Sequence, residues 1–206
     1  MSSQALTSLS SAANSKLAEE LRQGMARVKA EGEARQREIK MQKAAEAERR
    51  VADAERQLEE FRKMALLLRA AGDRKGLREL IRQANQLGKR VAEDLKLIGD
   101  GALAFSETDP AGALKNLDAA RRHADVIAGQ LRGLAALAEE DDEIKKAGEA
   151  AARGVEEAVR NFPTQEIQRR LGEKTLEAHV KAQASAPPSV EKATLPLLVY
   201  TSLQNE

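Results

Sequence analysis

Large apolar residues recur every three or four positions along most of this chain, a spacing that puts them on one face of an α-helix. Leu17, Leu21, Val28 and Ile39 open the series, with Gly24, Gly32 and Arg35 in the intervening places and Met25 beside the seam. The pattern fades over 40–50, where nearly every residue is charged, Gln or Ala. It restarts in a new phase at Val51 and runs through Ala54, Leu58, Phe61, Ala65 and Leu68. No proline interrupts this stretch, so it predicts one very long helix over about 14–71, bent where the phase slips.

Gly72 and Asp73 mark a boundary: glycine suits the left-handed position after a helix, and aspartate caps the next one. Leu77, Leu80, Ala84, Leu87, Val91, Leu95 and Ile98 then predict a helix over 74–98. So short a connection implies an antiparallel hairpin or a sharp bend. Gly99, Asp100 and Gly101 read as the stop signal, with Ala102 to Phe105 as a small apolar plug. Asp109 followed by Pro110 is a cap with proline at the first helical position. It opens a helix over 110–139, with Leu114, Leu117, Ala120, Ala124, Ile127, Leu131 and Leu134 along its seam. The acidic run Glu139 to Glu143 is a joint or a cap, and Ile144, Ala147, Ala151, Val155 and Ala158 predict a helix over 143–161. These two helices together nearly match the first in length, which predicts that they run alongside it. A turn at Asn161-Phe162-Pro163-Thr164 leads to a last helix over 165–183.

The ends are different. Residues 1–13 are small and polar and read as a flexible arm, and 184–206 as a Pro-containing linker followed by a tail. That tail holds the most apolar window of the chain: Leu195, Leu197, Leu198, Val199 and Tyr200. It either covers the end of the bundle or docks on a partner, for instance as an added strand.

Composition explains the narrowness of the seams. Of 206 residues, 38 are alanine and 43 are Leu, Ile, Val or Phe. A chain with so few large apolar residues cannot fill a wide core, whereas alanine is the best helix former and lets helices approach closely. The fold class that follows is all-α, an elongated helical bundle or antiparallel coiled-coil-like hairpin with one very long N-terminal helix.

Several chemistries are excluded or unsupported. The chain has no Cys, which removes thiol catalysis, disulfides and cysteine-zinc sites. No Gly-x-Ser-x-Gly elbow and no Gly-Lys-Ser/Thr phosphate loop is present. His123 and His179 lack the Glu-x-x-His spacing of di-metal bundles and read as solvent-facing helix residues. The reading therefore carries no catalytic residue, no metal, no cofactor and no small-molecule substrate. No apolar run spans a bilayer and the first residues lack the basic start and apolar core of a cleaved signal, so a cytoplasmic location is expected, with export by a signal-independent route left open.

Charge is balanced overall at +1 but uneven along the chain. Between Arg62 and Lys96 ten bases face four acids, among them Arg69, Arg74, Lys75, Arg78, Arg82, Lys89 and Arg90. Over 139–157 eight acids face three bases, so packing of the two stretches would cancel both fields. The leading expectation is a non-enzymatic structural or adaptor protein that mediates protein–protein assembly. It would use Leu17, Leu21, Val28 and Ile39 as a self-association seam in a homodimer or higher oligomer, and the apolar tail to bind a protein partner. One alternative is a basic-surface binder of nucleic acid or anionic membrane through 62–96. Another is an accessory protein or export substrate of a bacterial secretion or flagellar apparatus, with which the Ser-rich start is compatible.

Overall fold

The computed structural model describes residues 3–138 and 141–185. Among these residues there are five helices and no strand: α1 (Ser3–Ala70), α2 (Arg74–Phe105), α3 (Pro110–Ala136), α4 (Asp142–Arg160) and α5 (Thr164–Ser185). The all-α helical bundle expected from the spacing is the architecture observed. The chain divides into two compact units, residues 1–171 and 172–206. The first holds α1 to α4 and Thr164–Leu171 of α5; Gly172–Ser185 of α5 is the described part of the second, where Leu176 and Val180 are exposed.

The turn between α1 and α2 forms as the sequence predicts. Gly72 takes a φ of 72°, and the amides of Gly72 and Asp73 bond back to the carbonyls of Arg69 and Leu68. This satisfies the last carbonyls of α1. The Asp73 carboxylate then accepts the Gly76 amide at 2.9 Å and caps α2. Asp109 caps α3 in the same way through the Gly112 amide at 2.9 Å. Asp73→Ala is expected to cost about 1 kcal/mol, the usual value of such a cap. A thermal midpoint equal to that of the parent chain would show that the cap is not limiting.

Cross-helix contacts give the direction of each helix. Along α1 and α2, Ala44 and Lys40 meet Gly101, Arg50 meets Asp94, and Leu68 meets Gly76, so the pair is antiparallel. Gly112 meets Phe105 and Gly88 meets Leu131, so α3 is antiparallel to α2. Asn85 meets Gly148 and Gly88 meets Ala151, so α4 runs parallel to α2. The result is an up-down-up-down bundle in which α1 and α4 each pack on the α2–α3 pair. Its core contains Val51 and Leu58 from α1, Ile81, Leu95 and Ile98 from α2, Ile127 and Leu131 from α3, Val155 from α4 and Ile167 from α5.

Four expectations are corrected. The helix expected to stop at residue 98 continues to Phe105, through Gly99, Asp100 and Gly101. Two glycines cost a helix roughly 1 kcal/mol each. Here close packing offsets that cost, because a β-carbon at Gly101 would collide with that of Ala44 and lie 3.0 Å from the Lys40 carbonyl oxygen. The chain turns instead at Ser106 to Asp109, where the Ser106 hydroxyl donates to the Leu103 carbonyl at 2.7 Å. Second, α1 begins at Ser3, so most of the expected arm is helical. Propagating an existing helix adds one bond per residue fixed, and no proline opposes it. Third, α4 packs on α2 and α3, while α3 lies along both α1 and α2. Helix length alone did not distinguish these neighbours. Fourth, His123 is half-buried and faces α1, where its Nδ1 lies 2.5 Å from Glu55 Oε2.

Candidate functional site

The unequal lengths of α1 and α2 leave part of α1 unpartnered. α2 ends at Phe105, close to where the antiparallel pairing reaches Lys40, and the following turn meets α1 through an Arg37–Glu107 ion pair. Every described side chain from Lys16 to Gln36 is exposed. A β-carbon at Gly24 or Gly32 would meet nothing within 4 Å. From Lys16 to Gln36 this overhang extends about 30 Å at 1.5 Å per residue.

The overhang is not polar all round. Leu17, Leu21, Met25 and Val28 are 58 %, 60 %, 73 % and 70 % exposed, and Ile39 is 45 % exposed at its base. At 100° per residue these five fall within an arc of roughly 80°. The seam residues picked out from spacing therefore share one exposed face of the helix, interrupted between Val28 and Ile39 by Gly32 and Arg35. The buried face of the same helix, through Ala44, Ala47, Val51, Ala54 and Leu58, is rotated from it by roughly a quarter turn. The phase reset at Val51 is the sequence signature of that rotation. It separates the face that α2 covers from the one left bare.

The basic residues are arranged differently. Arg69, Arg74 and Arg78 line one cavity of about 270 Å³ at the α1–α2 turn, over a floor that includes Leu77, Ile81 and Leu137. Asp73 and Asp141 line the same cavity, and Arg78 pairs with Asp141 at 3.1 Å. Asp141 also caps α4 through the Ile144 amide at 3.3 Å. Lys75, Arg82, Lys89 and Arg90 lie outside this cavity and are exposed along α2, with Arg82 near Glu79 at 3.8 Å. α2 packs on α4, and the Arg78–Asp141 pair joins the basic stretch to the acidic one. Leu195, Leu197, Leu198, Val199 and Tyr200 lie outside the described residues.

Cross-helix polar contacts escaped the sequence, because no local spacing marks a pair 44 or 68 residues apart. Arg50 donates two nitrogens to Asp94, Nη2 at 2.6 Å and Nε at 3.0 Å, which fastens α1 to α2. Arg132 pairs with Glu156 between α3 and α4. Arg170 donates to the Leu103 carbonyl at 3.1 Å and the Ser106 hydroxyl at 2.9 Å, which ties the start of α5 to the end of α2. Hydrogen bonds from Arg169 and then Arg170 hold the Glu166 carboxyl at about 2.

Glu48 is exposed at the edge of a groove between α1 and α3 floored by Ile98, and partial desolvation there pushes its carboxyl above the ordinary value of 4.5. An acid raised in the folded state destabilises that state when ionised, and the cost disappears once pH falls below the unfolded value. Glu48→Gln is therefore expected to raise the thermal midpoint at pH 7 and to leave it unchanged below pH 4.5. Melting curves at both pH values check the sign, and a lowered midpoint at pH 7 would contradict it. Among the described residues no group of three or more His, Cys, Asp or Glu is placed to hold a metal ion, and no helix is long and apolar enough to cross a membrane. Comparison with family models, with curated proteins and with solved structures finds no match to this chain.

Proposed function

We propose that this protein is a non-enzymatic assembly module, in which the bundle is a folded anchor and the overhang of α1 is the contact element. The observation that supports this most directly is the single stripe of large apolar side chains exposed from Leu17 to Ile39. Contiguous apolar patches of several hundred Å² are uncommon on monomers and mark interaction sites. The rigid attachment fits the role. Pairing with α2 over 40–70 holds the helix, and the Arg50–Asp94 fork and the Arg37–Glu107 pair fix its exit from the bundle. The apolar tail is a second contact in the same reading.

The basic-surface reading has less support, because Asp73 and Asp141 share the cavity where its arginines converge. The assembly reading is tested by placing a photo-crosslinking amino acid at Leu21 or Met25 in the full chain, with exposed Arg122 on α3 as control. Protein adducts in the native host are expected from positions 21 and 25 and not from 122. No adduct from either stripe position would overturn the reading.

A further inference from the structure

The edges of the exposed stripe carry opposite charge. At 100° per residue, Glu20, Glu31 and Glu38 fall along one edge and Arg22, Lys29 and Lys40 along the other. Each acid stands two residues from a base on the opposite edge. A face of this kind is complementary to itself in one orientation. When two copies lie parallel and in register, the acidic edge of each meets the basic edge of the other. Glu20 then lies beside Arg22 of the second copy, Glu31 beside its Lys29, and Glu38 beside its Lys40. An antiparallel pair centred on Val28 would bring like edges together, Glu20 near Glu38 and Lys29 near its own copy.

We propose that the overhang of α1 pairs with a second copy of this chain as a parallel, in-register two-helix contact. This rests on the assembly reading and names the partner of the same stripe. Leu17, Val28 and Ile39 recur every 11 residues, close to three whole helical turns, so the contact stays in phase with a slight right-handed supercoil. Two-fold symmetry about the helix direction makes every contact reciprocal, as in an isologous interface, and residues at the centre of the stripe such as Leu21 meet their own copies. Five large exposed residues at on the order of 100 Å² each give about 1,000 Å² for the pair, at the lower bound of specific interfaces. The expected dimer is accordingly reversible. The quarter-turn offset of the bundle face sends the two bundles to opposite sides of the contact, so they do not collide. Two cations and one acid oppose the pairing: Glu33 lies beside the basic edge, 4.0 Å from Lys29 of its own chain. Arg27 lies on the acidic edge, and Arg35 lies within the stripe. Glu31 and Glu38 stand at i−4 and i+3 from Arg35, spacings that place both carboxylates beside it on the helix surface.

The absence of cysteine makes the test direct, because a single introduced thiol has no native competitor. Light scattering of the full chain at about 100 µM and low salt is expected to give twice the chain mass. Val28→Glu is expected to return it to the chain mass with an unchanged thermal midpoint, since Val28 is exposed and outside the core. Leu21→Cys is expected to form an inter-chain disulfide on mild oxidation, because residue 21 meets itself in the parallel register and stands roughly 20 Å from its copy in the antiparallel pair centred on Val28. A monomer at that concentration, a dimer that survives Val28→Glu, or a dimer in which Leu21→Cys fails to cross-link would each overturn the proposal. Adducts from position 21 to a different protein would overturn the self-pairing and leave the assembly reading standing, whereas no adducts at all would remove both.

Discussion

Leu131→Ala is expected to lower the stability of the bundle by about 2–5 kcal/mol, the cost of a large cavity in a core that cannot collapse around it. Leu131 is fully buried, and its Cδ1 would lie 2.7 Å from a β-carbon at Gly88. It therefore fills the space where α2, α3 and α4 meet. Alanines line much of this region, among them Ala84, Ala128, Ala135, Ala151 and Ala152. Their side chains have no length with which to close a gap, so relaxation recovers little. A domain of this size shifts its midpoint by roughly 2–4 °C per kcal/mol, so a fall on the order of 10 °C is expected in a thermal melt. A fall of less than about 2 °C would show that Leu131 is not at the junction of these helices.

Gly101→Leu is expected to have an effect of similar size by the opposite route. The added side chain has no room, because a β-carbon alone would collide with Ala44 and approach the Lys40 carbonyl oxygen. Neither obstacle is the flexible end of a long side chain. α1 must move away from α2, at an overpacking cost of about 1–3 kcal/mol or more. The gain in helix propensity over glycine, about 1 kcal/mol, offsets only part of it. Gly129 on α3 is the control: a β-carbon there meets nothing within 4 Å, so Gly129→Ala is expected to stabilise by up to about 1 kcal/mol. Chemical denaturation of the two variants should give shifts of opposite sign. A stabilised Gly101→Leu would mean that α1 is not seated on α2 at Ala44.

The two glycine positions show how far local signals reach. Gly72 and Gly101 look alike in the sequence: each follows an apolar helical run and lies beside an aspartate. Only Gly72 takes the left-handed backbone conformation. Gly101 remains helical because α1 passes within contact distance of it. The 3–4 spacing likewise identifies which residues of α1 form a face, and it does so equally well for Leu21 and for Leu58. One is 60 % exposed and the other fully buried. The difference comes from α2, which is long enough to cover Leu58 and ends before it reaches Leu21.

The helical class, the caps at Asp73 and Asp109, the boundary at Gly72 and the composition of each seam are all legible in the order of residues. These depend on backbone geometry and on residues within a turn or two of each other, so local spacing encodes them. The tertiary structure alone decided which seams are covered, that α4 lies on α2 and α3, and that Arg69, Arg74 and Arg78 share a cavity with two aspartates. It also decided that His123 faces Glu55 across 68 residues of chain. Burial and charge pairing are properties of neighbours in space, and 3.6-residue periodicity does not carry their identity.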